Sequence, residues 1–205
     1  HSRHEYEKRR NEMKSLEDLV YNMIDSKAKT NVAMQGASGL LGWPFTIAAD
    51  VGVVFTHYGP MLNDIRTLYG RKPVDAESIV PIIRGCSTEL LADLVLDKLV
   101  GQIPVIGFGA NIICAKAMNW RLGILFAMLS SRGEEIDVEN VQKAVKLIRE
   151  VFPQKSSLRF EKPSRNDVHI LLRKVANETV ASFNETMDFM RKKIASAPTI
   201  RLGDL

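Results

Sequence analysis

The chain has 205 residues, 45% of them apolar and 25% charged, which is the make-up of one ordinary globular domain or one domain with helical arms. Its 28 basic and 24 acidic residues are mixed through both ends for a net charge of +4, and with no basic face set apart, nucleic acid is not an expected partner. Cys86 and Cys114 are its two cysteines. They lack metal-ligand spacing and exclude a disulfide framework, so they read as small buried apolar groups in a reducing, cytoplasmic compartment.

Residues 4–30 carry Met13, Leu16, Leu19, Val20, Met23 and Ile24 at three- and four-residue spacing. This predicts an amphipathic helix whose charges form a solvated side. The opening residues are charged, without the apolar core of a signal peptide. The chain starts at His1 and not at Met, which predicts a segment of a longer protein or a processed form. Gly36, Gly39 and Gly42 lie three apart in an apolar stretch and offer a smooth face for close helix approach. Trp43-Pro44 opens the next helix, because proline suits a first turn. That helix runs to residue 69 with a kink at Pro60, and Gly70-Arg71-Lys72-Pro73 ends it.

Asp75 is placed to cap a helix over 76–98, with Ile79, Ile83, Leu90 and Leu94 in its apolar stripe. Gly101 and Pro104 break the chain before a long helix over 105–131, stopped by Gly133. Asp137 caps a helix over 138–151, a polar linker covers 153–163, and a last amphipathic helix runs from Ser164 to Ala195. No run alternates as a strand does. The fold class is therefore all-α: a helical bundle with two long apolar central helices, 44–69 and 105–131, paired antiparallel, and amphipathic N- and C-terminal helices.

The two central stretches have matching patterns. Between Lys29 and Asp64 the only formal charge is Asp50, and between Lys98 and Lys116 there is none. A surface helix shows charges every turn or so, so these stretches are either the buried heart of a helical domain or membrane-seeking hairpins. Each carries one polar residue after a proline, Asp50 in the first and Asn111 in the second. A carboxylate within an apolar helix needs a partner, which makes Asp50 and Asn111 the candidate polar core. Arg66, Arg84 and Arg121 are candidate partners for Asp50. From Leu99 to Gly133 the charges are Lys116, Arg121 and Arg132, all basic. An apolar segment flanked only by cations suits an anionic lipid surface, and these three are the candidate lipid-facing groups.

No constellation supports catalysis. There is no G-x-x-x-x-G-K-[ST] loop, no strand ahead of the glycine clusters, no G-x-S-x-G elbow and no histidine or cysteine pair at metal-ligand spacing. No catalytic residue, cofactor or metal is expected.

Two strings carry a resemblance. The first is Ala28-Lys-Thr, then Leu41-Gly-Trp-Pro-Phe-Thr-Ile-Ala-Ala-Asp50, leading to Leu68-Tyr69-Gly70-Arg71. The second is Ile103-Pro104-Val-Ile-Gly107 with Asn111, leading to Trp120-Arg-Leu-Gly123. Together they resemble the YcjF-like, GTPase-associated helical domain of unknown function, with similarity to EcsC-like proteins, over residues 27–133. Pro60 inside the first long helix and the extension 134–205 depart from that pattern. The resemblance implies a GTP-binding domain in cis or trans, with residues 1–30 as its connector helix, 31–133 as the apolar helical core domain and 134–205 as a helical extension.

The expectation is a non-enzymatic helical domain mediating membrane association or assembly, as the partner region of a GTP-binding protein whose nucleotide domain is absent from this chain. Anionic lipid and a homo-oligomer are further expected partners, with peripheral or integral attachment to a membrane. The rival is a membrane-inserting or pore-forming module. A hydrocarbon core needs about 20 apolar residues per helix, and the stretch over 32–49 nearly reaches that but holds three glycines and one proline.

Overall fold

The computed structural model describes residues 16–30, 51–90, 107–133, 138–153 and 160–176, and every regular element among them is an α-helix. These are α1 (16–30), α2 (Val51–Leu68), α3 (Ala76–Leu90), α4 (Gly107–Arg132), α5 (Val138–Val151) and α6 (Arg165–Ala176).

The helix ends follow from local chemistry. Beyond α2, Gly70 adopts φ 68°, where a side chain would be strained. Its N–H donates to Thr67 O at 2.9 Å, and Arg71 N donates to Arg66 O at 2.8 Å, a Schellman closure of the last turn. Gly133 ends α4 at φ 70°, its N–H donating to Ser130 O at 3.2 Å. Asp75 Oδ1 accepts from Ser78 N at 2.8 Å to start α3, and Ser164 Oγ accepts from Asp167 N at 3.1 Å to start α6. The turn between α2 and α3 is pinned by Asn63, whose Oδ1 accepts from Val74 N at 2.9 Å while its Nδ2 donates to Val74 O at 3.0 Å. The predicted caps at Asp75, Gly70 and Gly133 are all in place, and Asp137 lies outside the described residues.

α4 is the core. Every residue from Ala117 to Ser130 is buried, and α2, α3, α5 and α6 all pack on it. A helix run apolar on every side must be enclosed, and residues 117–130 are. α1 completes the enclosure at Gly123, where a Cβ would stand 2.7 Å from Ile24 Cγ1.

Two expectations are corrected. The C-terminal ends of α2 and α4 lie together, where an antiparallel pair would set the end of α2 beside the start of α4: Arg71, just past the end of α2, donates from Nε to Ser130 O in the last turn of α4 at 3.1 Å. The second correction concerns α1. Its buried positions are Glu17, Val20, Tyr21, Ile24 and Ala28, while Leu19 is 51% exposed. The stripe is rotated from the predicted one, and an acidic residue sits where an apolar one is expected.

Candidate functional site

Asp50 lies outside the described residues, and the side chain of Asn111 on α4 does too, so their pairing is not part of the described structure. Lys116 on α4 is half-buried. Arg121 is 2% exposed, and its reading as a lipid-facing group is corrected. Its Nη1 donates to Leu90 O in α3, and its Nη2 donates to Phe152 O, just past α5, at 2.9 Å. At Phe152, just past the end of α5, the guanidinium satisfies an acceptor that the helix leaves open and complements its dipole. Arg121 is thus a clamp between α3 and α5, and Arg149 reinforces the same edge through Glu89 at 3.3 Å. Arg132 is half-buried and donates from Nη1 to Val175 O in α6 at 3.3 Å. The three basic residues of α4 therefore do not share one outward face.

The structure assembles two polar clusters instead. One is the seam between α1 and α6. Arg173 Nε lies 2.9 Å from Glu17 Oε2, Arg165 Nη1 lies 2.7 Å from Asp18 Oδ1, and His169 Nε2 lies 3.2 Å from the same Asp18 oxygen. Lys162, on the approach to α6, pairs with Asp25 at 2.7 Å. Tyr21 anchors the seam by donating to Pro163 O at 2.9 Å, with its ring 4.9 Å from that of Trp120 and under the Arg165 guanidinium at 4.4 Å. α1 is therefore docked by charge complementarity around an aromatic anchor.

Glu17 is the perturbed member. Burial pushes its carboxyl up, Arg173 opposes this and Asp18 adds to it, and the result is a pKa of about 7. Arg173 stands close but out of line for a full hydrogen bond to the carboxylate. Burial, with the nearby Glu17 charge, also pushes up the Tyr69 hydroxyl. Burial alone would raise Asp25, but Lys162 and Lys29 outweigh it and hold it below the usual carboxylate range. No apolar periodicity announces a buried glutamate, and the presence of basic residues on α6 is its only trace in the sequence.

The second cluster is Arg66, Arg71 and Lys72, where α2 and α4 end side by side. A groove of about 310 Å³ also opens between α3 and α5, lined by Pro81, Ile82, Cys86, Glu89, Val141 and Val145 among others. Burial pushes the Cys86 thiol up to about 12, so it is an apolar lining group there and not a nucleophile. Among the described residues no group of histidine, cysteine and carboxylate side chains is arranged to hold a metal, and no helix is long and apolar enough to cross a membrane. No family model, curated protein or solved structure matches the chain.

Proposed function

We propose that this chain is a non-enzymatic helical-bundle domain that mediates membrane association or assembly for a GTP-binding partner domain. The observation that carries the reading is the enclosure of α4. The run from Ala117 to Ser130, which continues the second apolar stretch past Lys116, is covered by its neighbours, and this supports a core role for that part of α4 over a lipid-inserting one. What such a domain offers to partners is its polar and charged exterior. The GTP-binding partner rests on the motif resemblance alone.

The test is flotation with phosphatidylcholine vesicles, neat and doped with anionic lipid, using brominated acyl chains as quenchers. With Trp43 replaced by Phe, Trp120 reports alone. The expected result is flotation with anionic vesicles, weakened by salt, with Trp120 emission unquenched. Flotation with strong quenching would favour the membrane-inserting module, and no flotation would remove the membrane part of the proposal.

A further inference from the structure

The end of the fold where α2 and α4 terminate gathers Arg66, Arg71 and Lys72, and among the described residues no carboxylate is paired with them. Closure of the chain at Gly70 brings Arg71 back onto the last turn of α2, with Arg71 N donating to Arg66 O at 2.8 Å. Both guanidiniums are then fixed through Nε alone. Arg66 Nε donates to Lys72 O at 2.8 Å, and Arg71 Nε donates to Ser130 O at 3.1 Å. Arg71 also lies flat against Gly133, where a Cβ would strike its Nη2 and stand 2.9 Å from its Cζ. Among the described residues no carboxylate pairs with either arginine, and the exposed Lys72 beside them adds a third positive charge. Burial and the adjacent Arg71 charge both lower the pKa of Arg66, so the fold holds two like charges together against their repulsion.

Helix capping accounts for only part of this arrangement. Each helix C-terminus carries roughly half a negative charge, so the ends of α2 and α4 offset about one of the three cations. Among the described residues about two positive charges are left over. They sit on guanidiniums whose Nε bonds set their orientation and whose terminal nitrogens make no hydrogen bond among the described residues, which is the preorganisation that anion recognition requires.

We propose that Arg66, Arg71 and Lys72 form a binding site for a phosphate monoester. One guanidinium fork saturates the two oxygens of a carboxylate. A phosphate monoester has three terminal oxygens and a charge of about −1.5 to −2 at neutral pH, so it engages both forks and matches the surplus charge. The headgroup of phosphatidic acid and a soluble phosphate monoester present the same chemistry. Phosphatidic acid is the occupant that the membrane-association proposal implies, and the inference rests on that proposal for its lipid source.

Two probes test it on the full chain: flotation with phosphatidylcholine vesicles with and without phosphatidic acid, and calorimetric titration with glycerol 3-phosphate. The parent is expected to bind both probes. Arg66→Gln and Arg71→Gln are each expected to weaken binding by about tenfold or more, the loss typical of a charge-assisted hydrogen bond. Arg71→Gln also gives up the contact with Ser130 O, so thermal melts accompany each variant. Lys72→Gln, at an exposed position, is expected to weaken binding severalfold while melting like the parent. Glycerol 3-phosphate binding that depends on Arg71, without vesicle binding, would uphold the site and overturn the membrane reading. Vesicle binding equal in parent, Arg71→Gln and Lys72→Gln would leave the membrane reading standing and overturn the site. Failure of the parent to bind either probe would also overturn it.

Discussion

Replacing Glu17 by Gln is expected to stabilise the protein at pH 8. Glu17 is 3% exposed and its carboxyl keeps its proton to about pH 7, against an ordinary value of 4.5. The folded state therefore binds a proton that the unfolded chain has released. Stability is fully present below pH 4.5 and falls as pH rises through about 7. At about 1.36 kcal/mol per pKa unit the whole shift corresponds to about 3 kcal/mol. Arg173 is 38% exposed on its side chain and keeps water beside the pair, which brings the expected cost of the charged form nearer to about 2 kcal/mol. Gln fills the same space without that charge, and half-exposed Arg173 can be solvated alone. In thermal melts at pH 8, Glu17→Gln should therefore gain about 4–8 °C for a domain of this size. Near pH 4.5 the two proteins should melt together. A variant less stable than the parent at pH 8 would refute this reasoning, because it would show that the ion pair with Arg173 outweighs the burial of the carboxylate.

Other positions have equally direct expectations. Arg121→Met removes both donors from Leu90 O and Phe152 O and should cost about 2–4 kcal/mol in urea denaturation. Arg121→Lys should not restore this, since a single ammonium on a flexible stem does not reproduce the fork that bridges two helices. Gly123→Ala places a methyl 2.7 Å from Ile24 Cγ1 and should cost about 1–3 kcal/mol by forcing α1 off α4. Adding Ile24→Ala should recover part of that loss in a double-mutant cycle. Cys86, with its thiol pushed up to about 12, should resist maleimide in the native state at pH 8 when Cys114 is replaced by Ser. Rapid labelling before unfolding would show that the groove between α3 and α5 activates it.

Helix content and helix ends were legible in the chain itself because they are local. The stripe from Val138 to Val151 repeats at helical spacing, and the structure returns the same bounds for α5. Asp75 caps through an oxygen three residues from its donor, and glycine at positions 70 and 133 supplies a positive φ that most residues disfavour. The all-α class follows from the same short-range rules. The meeting of the α2 and α4 ends, the rotation of α1 and the burial of Arg121 depend on which surfaces meet, and no spacing encodes that. A charged residue in a helical pattern reads as solvated unless a partner arrives from elsewhere in the chain. For Arg121 the partners are the carbonyls of Leu90 and Phe152. For Glu17 the partner is Arg173, far along the sequence on α6. The pairing of Arg66 with Arg71 lies between these cases. The turn that joins them is local, whereas Ser130 and Gly133, which hold Arg71 in place, come from α4 and reach it only once the helices have packed.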